Sequence, residues 1–264
     1  MTAPSFAEVL DILHEIAPLE LAADSDNVGL LLQPRAKPGR VRRVLLTIDL
    51  TPEVAAEAIA GRADLVVAYH PPIYRPLKRL AADGGVQEGL LRVATAGIAV
   101  YSPHTALDAA PSGLADWLAE RMLGGDAPKE LRPCGDGEFG RVIELGKSLP
   151  FRTLLQRCKR TFGVRTLQVA APARPVRSVR TIVVAAGAGG SILRGVRADV
   201  WVTGELSHHD ALAAVAAGTT VVLAGHSNTE RGFLKVLQRR LREPLGGELD
   251  VRVARSDRDP FTVV

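Results

Sequence analysis

Residues 44–70 read VLLTIDLTPEVAAEAIAGRADLVVAYH, and the way this stretch divides decides the fold. Val44 to Leu50 is a short, mostly apolar run of the kind that forms a buried strand. Thr51-Pro52 then opens a helix through Ala60, with proline at the first helical position, where its missing N–H costs nothing. Ala63 to Tyr69 is a second strand, and it stops on His70. Working outward, the same grammar continues: Val86 to Ala96 is helical, Ile98 to Tyr101 is a strand and Gly113 to Leu123 a helix. Ahead of it, Phe6 to Ala17 carries Phe6, Val9, Leu10, Leu13, Ile16 and Ala17 at helical spacing, and Ser5 with Glu8 forms a capping box. Alternating strands and helices favour a parallel sheet covered by helices.

From Gly124 to Gly137 the sequence turns to Gly, Pro, Asp and Lys, which predicts a boundary. The pattern then restarts. Strands are expected at Phe139–Leu145, Thr166–Ala170, Thr181–Ala185, Asp199–Thr203, Thr219–Ala224 and Leu249–Ala254. Helices are expected at Phe151–Thr161, His208–Ala217 and Asn228 to about Leu241. The predicted fold class is α/β, with two similar lobes, each a mostly parallel sheet with flanking helices. Residues 1–125, completed by 225–264, make the first lobe and 138–224 the second. Open parallel sheets bind ligands beyond the carboxyl ends of their strands, which puts the expected site in the cleft between lobes.

Hydrophobic residues make up 47% of the 264 and aromatics only 4%, so the core must be built mainly from Ala, Val and Leu. No apolar stretch reaches the roughly 20 residues that span a bilayer. Glu8, Asp11 and Glu15 occupy the place of a basic signal-peptide start, so a cytoplasmic protein is expected. Two cysteines, Cys134 and Cys158, are too few for a disulfide scaffold and match no zinc spacing. The net charge of +4 comes from scattered arginines. The clusters at 40–43 and 239–242 flank apolar segments without interleaved aromatics, which favours solvated faces over nucleic-acid binding.

Five of the six histidines lie where hydrophobic runs stop: His70, His104, His208, His209 and His226. Imidazoles and carboxylates gathered at strand ends are the donors an N/O-ligated metal centre requires. His226 and Glu230 are four apart and would share a helix face, with about 5–6 Å between Cβ atoms. Ser227 to Glu230 is equally a capping box. His104 and Asp108 repeat the spacing, and Thr105 with Asp108 again permits a cap. His70 is aimed by Pro71-Pro72, which hold the preceding residue extended; Tyr69 beside it can donate to a ligand or pack. Ser207-His208-His209-Asp210 combines a cap with a histidine pair, of which at most one ligates a given ion because neighbours on a helix point about 100° apart. Asp24 to Leu30 is a polar turn that either lines the site or only turns. Gly187-Ala188-Gly189-Gly190-Ser191 either cradles phosphate at a helix start or is a tight turn; no P-loop lysine follows it.

In series, five phrases resemble the Nif-three-like dinuclear metal-binding family, whose members are described as GTP cyclohydrolase 1 type 2 homologues. They are Asp26-Asn27-Val28-Gly29-Leu30, Tyr69-His70-Pro71-Pro72-Ile73-Tyr74, Tyr101-Ser102-Pro103-His104-Thr105-Ala106-Leu107-Asp108, Gly204-Glu205-Leu206-Ser207-His208-His209 and His226-Ser227-Asn228-Thr229-Glu230-Arg231-Gly232. The resemblance implies two similar α/β lobes, a two-metal centre and a ring-shaped homohexamer. It places His70, Asp108, His226 and Glu230 at ligand positions and His104 beside or on the metals. Tyr69 departs from the histidine pair of many bacterial members and resembles the eukaryotic subgroup.

The expected function is therefore a metal-dependent hydrolase acting on a nucleotide-like or other phosphate-bearing small molecule. Its cofactors would be two divalent ions drawn from Zn, Fe, Mn or Co, held by His70, His104, Asp108, His226 and Glu230. His104 or His209 would move the proton, since imidazole titrates near working pH. The alternative is a non-enzymatic metal-binding scaffold or interaction protein; no membrane partner is expected.

Overall fold

A computed structural model describes residues 3–34, 39–82, 85–245 and 248–264. The first half carries α1 (Phe6–Ile16), β1 (Gly29–Leu32), β2 (Arg43–Thr47), α2 (Pro52–Ala60), β3 (Leu65–Ala68), α3 (Gly85–Thr95), β4 (Ala99–Ser102) and α4 (His104–Ala109). The middle holds α5 (Leu114–Leu123), β5 (Pro128–Cys134), β6 (Gly140–Pro150), α6 (Phe151–Phe162), β7 (Gln168–Ala170), β8 (Ser178–Ala185), α7 (Gly190–Leu193), β9 (Val200–Thr203), α8 (His208–Ala216), β10 (Thr220–Leu223) and α9 (Asn228–Arg231). Two elements close the chain, α10 (Leu234–Arg242) and β11 (Asp250–Val253). The chain divides into one unit of residues 1–110 with 233–264 and another of 111–232.

In the first unit the sheet runs β1-β4-β3-β2-β11, parallel throughout except at β1, which pairs antiparallel with β4. β3 and β4 are buried along their whole length, as continuous Leu, Val and Ala runs require when helices cover both faces. The Ser5–Glu8 capping box starts α1, and Thr51 Oγ1 accepts from the Val54 N–H to start α2. Leu45, Leu50, Val54, Leu90, Val93, Ile98 and Val100 form the core between the sheet and α2 and α3. The returning C-terminal segment is pinned twice. Asp257 accepts from the Ile48 N–H, and the Glu57 carboxylate accepts from the N–H groups of Arg255 and Ser256 and from the Ser256 hydroxyl.

The second unit has a six-stranded sheet, β5-β6-β8-β9-β10-β7. Its centre, β8-β9-β10, is parallel, while β5, β6 and β7 join antiparallel. The Gly- and Pro-bearing stretch 124–137 contains a strand: β5 pairs with β6 from Pro128↔Leu145 to Cys134↔Gly140. All its residues but Cys134 are exposed, so no apolar alternation marks it. The helix expected from Asn228 onward stops at Arg231 and resumes at Leu234. At the break, a Cβ on Gly232 would lie 2.6 Å from the Trp117 ring. Cys134 and Cys158 are buried, and desolvation pushes their thiols up to about 11 and about 12, which suits packing and not reactivity. Among the described residues, no helix is long and apolar enough to cross a membrane.

Gly89 on α3 faces the start of α2, where an added Cβ would sit 2.9 Å from the Leu50 carbonyl oxygen and 3.2 Å from that of Thr51. Both neighbours are backbone and cannot rotate away. Alanine is the better helix former by about 1 kcal/mol, yet overpacking of this kind costs about 1–3 kcal/mol. Gly89→Ala should therefore lower the urea midpoint; an unchanged or higher midpoint would show that the two helices separate freely.

Candidate metal centre

In the first unit the strands end on the candidate ligands. The N–H groups of Tyr69 and His70 donate to Thr47 and Ile48 carbonyls, extending the β2–β3 ladder up to the imidazole. Pro71 is buried directly after it. Asp49 stands just past β2, and its Oδ1 lies 2.9 Å from His70 Nδ1. His104 sits just past β4 at φ +28, a left-handed backbone value that costs a non-glycine residue of order 1–3 kcal/mol and persists only where neighbours enforce it. The enforcement is visible. Both carboxylate oxygens of Asp26 lie 2.8 Å from His104 Nδ1, and the same group accepts from the N–H and hydroxyl of Thr105 and from the Asn27 N–H.

The Asp26 side chain is only 2% exposed. Burial raises its pKa, but the hydrogen bonds from His104, Thr105 and Asn27 and the positive field of His104 prevail, holding the carboxyl at about 2. The rings of His70 and His104 are 5.6 Å apart, and Tyr69 lies 5.1 and 5.5 Å from them. The Tyr69 hydroxyl donates to Asp108 Oδ1 at 2.7 Å, and the Ser102 hydroxyl donates to the Tyr69 carbonyl. Asp108 is buried. It does not cap α4, whose first residue follows Pro103 without a side-chain cap, and Thr105 is engaged with Asp26 instead.

The second unit builds its set on a turn between β10 and α9. His226 Nδ1 lies 3.0 Å from Glu205 Oε1, while Nε2 lies 3.3 Å from Oε1 of the buried Glu230. No side-chain cap forms at Ser227, so the glutamate points to the imidazole and not to the helix start. Glycines make the room. Gly187, at φ +53, would place a Cβ 2.6 Å from Glu230 Oε1 and 2.9 Å from His226 Nε2. At Gly204 a Cβ would lie 2.6 Å from the Gly187 oxygen and 2.8 Å from His226 Cα. The Gly187 turn is thus tied to its surroundings: its N–H donates to Thr229 Oγ1, and its carbonyl accepts from Thr203 Oγ1 and the Glu205 N–H.

All three histidines follow one rule: Nδ1 meets a carboxylate, Asp49, Asp26 or Glu205. Such a bond sets the ring and leaves Nε2 as the nitrogen turned away from the clamp, in His226 toward the buried Glu230. With Asp108 and Glu230 the donors are imidazole nitrogen and carboxylate oxygen, a set that fits a divalent cation of borderline or hard character. Glu205 belongs to the Gly204–His209 phrase that carries the resemblance, and Asp26 to a turn whose role stayed open. Asp49 was missed, although its place at the end of a strand beside the His70 strand was a usable signal. His209 is exposed on α8, with its ring 5.6 Å from that of His208. There Ser207 is a true cap, accepting from the Asp210 N–H.

Acid stability tests this arrangement. Because the Asp26 pKa in the folded chain lies below its ordinary value of 3.8, its stabilisation is complete above about pH 4 and is lost as pH falls toward about 2. Asp26→Asn should lower stability at neutral pH and flatten the fall between those values in urea unfolding of metal-free protein. A fall as steep as that of the wild type would show that Asp26 does not carry it.

A family profile described as Duf34/NIF3 (NGG1p interacting factor 3) matches residues 4–260. The NIF3 homolog of Schizosaccharomyces pombe is 41% identical over 266 residues, covering 96% of both chains. Among solved structures, a Bacillus cereus protein related to NIF3 superposes with a TM-score of 0.85 at 20% identity over the full length of both chains. Reduced HcgD from Methanocaldococcus jannaschii superposes at 0.83 with 25% identity, covering 95% of this chain and 98% of that one. With the profile spanning nearly its whole length and a relative at this identity, the chain belongs to the Duf34/NIF3 family.

Proposed function

We propose that this protein is a metal-dependent hydrolase of a nucleotide-like, phosphate-bearing substrate. By the resemblance stated above, His70, His104, Asp108, His226 and Glu230 are assigned as the ligands of its two metal ions. The observation that supports this most is the shared clamp on three imidazoles, each with Nδ1 on a carboxylate. Such outer carboxylates raise ligand basicity and fix ring orientation at metal sites. A divalent ion held there would polarise the scissile group and lower the pKa of coordinated water toward neutrality. The chain's own groups do the rest. Asp108, steadied by the Tyr69 hydroxyl, presents its carboxylate in one orientation. The resemblance puts His104 beside or on the metals; in the place beside them, with Nδ1 held by Asp26, its Nε2 is the atom assigned to take up a proton. His209 is the second candidate for that role. The resemblance stated above also leads us to assign the protein a ring of six copies, read directly by light scattering.

Elemental analysis of freshly purified protein should count about two transition-metal ions per chain. Glu230→Ala should abolish most of that content. Asp49→Ala and Glu205→Ala, which leave every assigned ligand in place, should each weaken metal affinity about 10- to 100-fold. Turnover is assayed on GTP and on a phosphodiester, with chelation and readdition of metal. Absence of metal-dependent turnover on both would remove the hydrolase. If Glu230→Ala then lost partner binding or assembly, the rival reading of a metal-binding scaffold would take its place.

A further inference from the structure

The segment after His70 is built like a recognition element. Pro71 is buried, Ile73 packs on the core of the first unit, and its carbonyl accepts from Asn27 Nδ2, next to the Asp26 that clamps His104. From Tyr74 to Leu80 every residue is exposed, in the order Tyr74-Arg75-Pro76-Leu77-Lys78-Arg79-Leu80. Tyr74 is 50% exposed, yet its ring stands edge-on to His104, with centroids 6.2 Å apart and planes at 85°. Elsewhere on this surface, exposed cations pair with nearby acids, as Arg92 does with Glu88 and Lys129 with Glu144. Among the described residues, no carboxylate pairs with Arg75, Lys78 or Arg79.

Three such cations in five residues form a local positive field, and a half-exposed aromatic ring beside them can stack on a planar one. Prolines at 71, 72 and 76 restrict the backbone, so less freedom is lost when a ligand binds. We infer that residues 74–80 bind the phosphate-bearing ligand beside His104. Tyr74 takes its planar ring, and Arg75, Lys78 and Arg79 take its phosphate oxygens. This inference rests on the hydrolase reading for its position but not for its test. A purely electrostatic surface would bind any anion alike and would not need Tyr74.

The test is equilibrium dialysis of metal-loaded protein against GMP, guanosine and inorganic phosphate. GMP should bind at least about tenfold tighter than guanosine, because charge-assisted contacts to phosphate are added to the stack. The double variant Lys78→Glu/Arg79→Glu should weaken GMP about tenfold or more and leave guanosine unchanged. Tyr74→Ala should weaken GMP and guanosine about fivefold and leave phosphate unchanged, as loss of a stacking face demands. Arg239→Glu/Arg242→Glu, a charge change of the same size on α10, should change none of them. Wild-type affinity for GMP in the Tyr74 and Lys78/Arg79 variants, or equal binding of GMP and guanosine by the wild type, would overturn the inference. GMP binding that depends on residues 74–80 without metal-dependent turnover would sink the hydrolase and leave this inference standing. Turnover that ignores those variants would do the reverse.

Discussion

The bond between an imidazole Nδ1 and a carboxylate is the constraint on which the histidine clusters of both units depend. It appears at His70 with Asp49, at His104 with Asp26 and at His226 with Glu205. An imidazole without it chooses between two tautomers and swings about its side-chain bonds. With it, the ring has one orientation and one nitrogen turned toward a ligand. The three carboxylates differ in their surroundings, from Asp26, almost wholly buried, to Glu205, half exposed. The arrangement therefore does not depend on one favourable environment.

The α/β fold makes these bonds available because parallel strands end side by side. β2 and β3 deliver Asp49 and His70 to neighbouring positions, and β4, next in the sheet, delivers His104. In the second unit β9 and β10 are likewise adjacent and parallel, and Glu205 and His226 follow their ends. The local backbone then carries the cost. His104 is held at a positive φ, and Gly187 and Gly204 occupy places where any side chain would strike the His226–Glu230 pair or its backbone. Strain and close approach at a site, held in place by a stiff surround, are what preorganised ligands require.

Tyr69 bears directly on the character of the site. Its phenol supplies a hydrogen bond to Asp108 where an imidazole would supply a further lone pair. The buried carboxylate is thereby oriented by a neutral donor, and the ring stands beside both His70 and His104.

Taken alone, the sequence determined the elements whose signals are local: the α1 capping box, the strand–helix–strand unit of residues 43–68 and the placing of histidines at strand ends. β5 escaped it because a strand exposed on nearly every residue has no apolar period to read. The interruption at Gly232 carries no local signal of its own, and the Trp117 ring packs where a side chain at Gly232 would stand. Three Ser/Thr-x-x-acid phrases were indistinguishable as text, yet they separate in space. Ser207 caps its helix, while Asp108 turns to Tyr69 and Glu230 to His226. Only tertiary structure could decide between them: Asp108 finds its partner in the distant Tyr69, and the contact of Glu230 with His226 needs the room left by Gly187 on another loop.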